Sequence, residues 1–139
     1  MATPEPWPES VRGADLLGDL SAAVRQHVVM PDWAPDMTAL WIVHTYGLDC
    51  SQVSPRLAIR SPEKGCGKTT LLDVLSCLVM RSLPTANATA SAIFLVVDMQ
   101  RPTLLIDEAD TFLSQNEDIR GILNAPTRRS GDPECWRGF

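Results

Sequence analysis

Residues 65–70, Gly-Cys-Gly-Lys-Thr-Thr, constrain the fold of this chain more than any other part of its sequence. Two glycines separated by one residue let the backbone curl tightly, because glycine tolerates left-handed conformations and presents no side chain to a ligand. Residues 56–60 before the loop have a strand-like composition, and the apolar spacing of residues 69–80 after it is typical of a helix. The order strand, loop, helix predicts an α/β fold with the glycine loop at a helix N-terminus.

Such a loop suits the phosphates of a nucleotide, because curled N–H groups and a helix dipole both favour negative charge. Lys68 is predicted to reach the outer phosphates, and the Thr69 hydroxyl to ligate Mg²⁺. The full set of predicted nucleotide-binding residues is Gly65, Cys66, Gly67, Lys68, Thr69 and Thr70. Cys66 is expected to contribute its backbone rather than its thiol. The common pattern G-x-x-x-x-G-K-[ST] is broken at one position, where Pro62 replaces the first glycine.

A second motif lies at residues 103–108, where an apolar run, Thr-Leu-Leu-Ile, ends in Asp-Glu. Because the C-terminal edge of a parallel sheet is where its ligands bind, the two carboxylates are predicted to face the same site as the loop. Asp107 suits Mg²⁺, held through its water shell, and Glu108 suits the base that orients and deprotonates an attacking water. The alternative is an ordinary buried strand followed by a solvated acidic turn. The glycine loop upstream favours the paired motif.

The remaining sequence supplies elements around these motifs. Further helices are predicted over residues 14–29, 36–47, 90–99 and 116–124, and further strands over 83–86 and 103–107, with a strand as the alternative for 90–99. The organisation expected is a flexible Pro-rich N-terminus (1–12), a helical lead-in (13–55), an incomplete P-loop core (56–124) and an irregular tail (125–139). The predicted fold is α/β, with a short parallel sheet flanked by helices, and with the two motifs it resembles a partial P-loop NTPase.

Composition narrows the function classes. The net charge of −5 argues against a protein whose main role is to coat nucleic acid. Four cysteines without a CxxC pair argue against a zinc site or a disulfide framework. The apolar run at residues 93–97 is too short to span a bilayer, and no signal pattern begins the chain, so a cytoplasmic protein without a membrane partner is expected.

Together these motifs resemble P-loop ATPases of the additional-strand class, which carry a glutamate directly after the motif aspartate. More narrowly, SPRLAIRSPEKGCGKTTLLDVL, RPTLLIDEADTFL, RGILN and ALWIVHTYG are similar to segments of a bacterial and phage family of uncharacterised helicase-like ATPases. That family is found beside or fused to primase and Toprim domains in mobile elements. The resemblance covers residues 14–124 and tolerates Pro62. It implies that Gly65, Gly67, Lys68, Thr69 and Asp107 bind ATP and Mg²⁺, with Glu108 as the catalytic acid–base.

The sequence departs from that class at the fourth strand. In the class this strand lies between the two motif strands and ends in a polar sensor residue. No segment after Asp107 has the pattern of such a strand, so a C-terminally truncated sheet is expected. An open sheet edge would invite pairing with a second copy or another chain. Two weaker candidate sites are the arginine-finger set Arg120, Arg128 and Arg129, and the nucleic-acid patch Arg128, Arg129 and Arg137.

Three hypotheses follow. The first is an ATP-hydrolysing, helicase-like subunit that acts on DNA through a larger assembly. The second is a truncated module that binds nucleotide weakly or not at all and does not turn it over. The third is a structural remnant whose sheet is completed by another polypeptide.

Overall fold

A computed structural model describes residues 5, 7–51, 53–60, 65–85 and 90–107 of the 139-residue chain. In chain order the described elements are α1 (Gly13–His27), α2 (Ala34–Tyr46), a short 3₁₀ turn (Leu48–Cys50), α3 (Lys68–Leu78), β1 (Ser82–Pro84), α4 (Ala90–Gln100) and β2 (Thr103–Leu105). Within these ranges no helix combines the length and apolarity needed to cross a membrane.

The first two helices pack against each other and confirm the helices predicted over residues 14–29 and 36–47. Val24 of α1 and Ile42 of α2 are almost fully buried. Pro35 lies in the first turn of α2, where its missing N–H leaves no gap in the helical hydrogen bonds. The connection is tied by the Arg25 guanidinium, which donates to the Asp32 carbonyl at 2.6 Å. The turn between the helices is therefore tied to α1 by a side-chain hydrogen bond.

A single cluster of buried apolar side chains joins the helices to the sheet. It comprises Val24, Val28, Ile42, Leu71, Leu75, Val79 and Leu105. Leu71 and Leu75 lie one turn apart on α3, which is the spacing that gives a helix one buried face. Leu105 brings the end of β2 onto that face. The core therefore lies directly beneath the start of α3 and the end of β2.

The sheet consists, in the described residues, of β1 and β2 paired in parallel, with Ser82 opposite Thr103 and Pro84 opposite Leu105. Parallel neighbours need a crossover connection, and α4 lies on that connection. Of the two alternatives for residues 90–99, the helix is therefore confirmed. Helices with a short parallel sheet agree with the predicted α/β class.

The strand predicted over residues 56–60 is wrong as an element, since the structure assigns no strand there. Leu57 and Ile59 nevertheless pack against the core, while Ala58 and Arg60 are exposed. This alternation is the pattern that the sequence predicted, but a strand also requires ladder hydrogen bonds to a neighbour. The helix predicted over residues 116–124 and the tail from 125 lie outside the described residues.

Candidate functional site

The glycine loop has the backbone shape that its composition predicts. Gly65 has φ +84° and Gly67 has φ +80°, both in the left-handed region that disfavours residues with a Cβ. Gly67 is also the N-cap of α3, and its carbonyl accepts a hydrogen bond from the Leu71 N–H at 2.9 Å. Around Gly65 an added Cβ would meet no atom within 4 Å, whereas at Gly67 it would lie 3.4 Å from Cγ1 of Val28. The loop therefore turns sharply into the helix, with the connection after α1 beside it.

The first turn of α3 offers unpartnered N–H groups and positive potential. Helices leave their first N–H groups without intrahelical acceptors, and no side chain caps this one. No acidic residue lies in the first turn to neutralise the dipole. Lys68, Thr69 and Thr70 are exposed there, and Lys68 makes no ion pair with any described residue. This end of the helix can accept an anion.

The end of β2 meets the start of α3 through a direct side-chain contact. The Thr69 hydroxyl Oγ1 donates to Oδ2 of Asp107 at 3.2 Å. The two residues are 38 positions apart in sequence, and Asp107 is half-buried. The structure thus brings together the hydroxyl and the carboxylate that the two motifs nominate as magnesium ligands.

The contact between these two oxygens fits a magnesium site. The Thr69 oxygen could ligate the ion while its O–H still donates to Asp107, whose carboxylate would hold the ion through its water shell. In the described residues no group of three or more histidine, cysteine or carboxylate side chains forms a cage for a metal. A cage is not needed, because Mg²⁺ usually keeps several waters and takes one or two protein ligands together with substrate phosphates. Thr69 and Asp107 could therefore hold the ion only alongside a phosphate.

The core keeps this contact in place. Leu71, two residues after Thr69, and Leu105, two residues before Asp107, are both buried in the same apolar cluster. Thr69 therefore lies in a helix, and Asp107 lies two residues beyond a strand, and the inner side chains of both elements are fixed by packing. Sites built on packed elements hold their geometry better than sites built on loops alone.

Several predicted residues are not joined to this site by any described contact. Glu108, the predicted base, lies outside the described residues, and so do Arg120, Arg128, Arg129 and Arg137. Cys66 and Thr70 are exposed beside the loop. These assignments remain predictions.

Two contributors to the site were missed at the level of sequence. Val28, in the connection after α1, has its side chain beside Gly67, where an added Cβ would lie 3.4 Å from Cγ1, and the buried Thr85 holds the end of β2. Neither belongs to a motif, because both act through contacts between segments distant in the chain. A threonine inside the strand predicted over residues 83–86 was the one available signal for Thr85.

Comparison of the chain with models of protein families, with curated proteins and with solved structures finds no match in any of the three. The family resemblance therefore rests on the motifs alone, and the functional argument on the geometry of the loop, Thr69 and Asp107.

Proposed function

We propose that the chain binds ATP with Mg²⁺ at the loop of residues 65–70 and hydrolyses it, as a helicase-like ATPase. The observation that carries the proposal is the contact between Thr69 Oγ1 and Asp107 Oδ2 at 3.2 Å. A glycine loop without a nearby carboxylate would be only an anion-binding site. An acidic strand end without a nearby glycine loop would be only a solvated turn. Their meeting supplies an anion-binding helix end next to two hard oxygen ligands.

In this proposal each residue has one task. The left-handed glycines expose loop N–H groups to the phosphates, and Lys68 neutralises the outer phosphate charge. Thr69 and Asp107 hold Mg²⁺, which when bound offsets the negative charge that develops on the transferred phosphoryl group. Glu108 accepts a proton from the attacking water. Binding rests on described residues, whereas turnover rests on the position of Glu108 directly after Asp107 in the sequence.

The binding step is tested by Lys68→Ala, with Lys64→Ala as the matched control. These are the two lysines of the chain, four positions apart in one segment, so both variants remove the same charge from the same region. A charge-assisted hydrogen bond contributes about 1.5–3 kcal/mol, so titration calorimetry should show Mg-ATP affinity falling by about ten- to a hundredfold in Lys68→Ala. Lys64→Ala should change it much less. Equal affinities for the parent and Lys68→Ala would refute the assignment of the loop.

Turnover separates the proposed enzyme from the non-catalytic alternative. Phosphate release by the purified chain, measured with and without single-stranded DNA, should show hydrolysis that the DNA stimulates. Saturable ATP binding without phosphate release would favour a nucleotide-binding module that does not turn over. A chain that neither binds ATP nor unfolds cooperatively would favour a fragment that another polypeptide completes.

A further inference from the structure

Thr85 lies directly after β1 and is 2% exposed. It makes two hydrogen bonds to one acceptor, the carbonyl oxygen of Leu105. Its backbone N–H donates at 3.0 Å and its side-chain hydroxyl Oγ1 donates at 3.2 Å. Leu105 is the last residue of β2, two positions before Asp107. One buried threonine therefore holds the backbone at the point where β2 leaves the sheet toward the site.

The backbone bond and the hydroxyl bond differ in what they require of the sequence. The Arg81 carbonyl accepts from the Thr103 N–H at 3.1 Å, and the Thr85 N–H donates to the Leu105 carbonyl. In a parallel pair, alternate residues of one strand bond to the other, so residues 81 and 85, on either side of β1, both face β2. The nitrogen of Pro84 faces the other way, which is why a proline is tolerated in this strand. Any residue except proline could make the bond from position 85. The hydroxyl bond requires threonine or serine, although valine would fill the same buried volume and suits a strand end equally well.

The hydroxyl bond acts on the orientation of the peptide group between Leu105 and Ile106. The single hydrogen bond from the Thr85 N–H leaves that peptide group some freedom to rotate. The Thr85 hydroxyl, as a second donor to the same carbonyl oxygen, restricts this rotation. Asp107 follows that peptide by one residue, and its carboxylate must meet the Thr69 hydroxyl at 3.2 Å. Magnesium demands near-ideal ligand geometry, so a small rotation upstream matters more to metal binding than to folding.

We propose that Thr85 is a positioning residue for the metal-binding carboxylate, and that its hydroxyl orients the end of β2 so that Asp107 faces Thr69. The inference rests on the proposed Mg-nucleotide site. Thr85 acts through the Leu105 carbonyl, and Leu105 itself is anchored in the core.

The test compares Thr85→Val, which keeps the shape and loses the hydroxyl, with Thr85→Ser, which keeps the hydroxyl and loses a methyl group. For each protein, ATP affinity is measured by calorimetry in EDTA and again with Mg²⁺, and the ratio gives the affinity gained from the metal. In Thr85→Val we expect unchanged affinity in EDTA and a metal-dependent gain reduced by about two- to tenfold, the change expected for one net hydrogen bond. Thr85→Ser should keep the parent's gain even if its urea midpoint falls, because the lost methyl group affects packing alone.

Two results would overturn the positioning role. One is a Thr85→Val protein with the parent's metal-dependent gain. The other is an equal loss of affinity with and without Mg²⁺, which would mean that the hydroxyl only supports the fold. Lys68→Ala, measured in parallel, separates this failure from that of the proposed function. If Lys68→Ala weakens ATP binding while Thr85→Val behaves as the parent, only the positioning role of Thr85 is refuted. If Lys68→Ala binds ATP as tightly as the parent, both the positioning role and the proposed function are refuted.

Discussion

The left-handed glycines of the loop give the sharpest test of its geometry. Gly67 has φ +80°, and a residue with a Cβ is disfavoured in that region by about 1–2 kcal/mol. Alanine also lowers the entropy of the unfolded chain, which offsets part of this penalty by about 0.4–1 kcal/mol. The added Cβ would lie 3.4 Å from Cγ1 of Val28, a van der Waals contact that needs no rearrangement. Gly67→Ala should therefore lower the free energy of unfolding by about 1 kcal/mol through backbone strain.

Two other glycines serve as controls for this prediction. Gly65 has φ +84° with no atom within 4 Å of an added Cβ, so Gly65→Ala should be destabilised by a similar amount through strain alone. Gly18 lies inside α1, exposed and with open space around it. There alanine should stabilise the protein by about 1 kcal/mol, because glycine is a poor helix former. The same substitution is therefore expected to have opposite signs at positions 18 and 67.

Urea unfolding followed by tryptophan fluorescence measures these differences. Trp41 is a suitable reporter, because its indole N–H donates to the Pro55 carbonyl at 3.0 Å and this contact is lost on unfolding. The slope of free energy against urea should be the same in all variants, so that midpoints compare directly. If Gly67→Ala were as stable as the parent, or stabilised like Gly18→Ala, the loop would not have the left-handed turn on which the proposed phosphate binding depends.

The remaining predictions concern the site itself. Glu108→Gln should keep the parent's ATP affinity and lose phosphate release, because the amide cannot accept the proton from water. The control Glu117→Gln should keep both. If Glu108→Gln hydrolysed ATP at the parent's rate, Glu108 would not be the base. Thr69→Val and Asp107→Asn should each reduce the affinity gained from Mg²⁺, and the double variant should lose less than the sum of the two. A coupling energy of about 0.5–3 kcal/mol from calorimetry is expected for this pair, and strict additivity would mean that the two side chains do not act on one ion.

The elements that sequence predicted well are those set by local pattern. The apolar spacing of α1 and α3 identified both helices to within two residues at each end, and the glycines of the loop do have positive φ. These features depend on neighbours within a few residues along the chain. Periodicity and glycine content report on such neighbours directly.

The features that sequence did not predict depend on neighbours far along the chain. Residues 56–60 have the alternation of a strand, but whether a strand forms depends on a hydrogen-bonding partner that no local pattern names. For the same reason the position of Val28 beside Gly67 and the paired bonds from Thr85 could not be predicted from motifs. The motifs named the hydroxyl and the carboxylate that meet, and only the fold shows what supports them.

The meeting of Thr69 and Asp107 follows from packing rather than from strand pairing. The segment before the loop forms no ladder with β2 in the described residues, so backbone bonds between the two motif segments do not set the distance. Instead, Leu71 beneath Thr69 and Leu105 beneath Asp107 enter one apolar cluster, and their packed side chains fix how closely α3 and β2 approach. Close packing defines such distances well, because cores tolerate little change in volume. Within the described residues, the packing of α3 and β2 into one cluster therefore accounts for the meeting of the hydroxyl and the carboxylate.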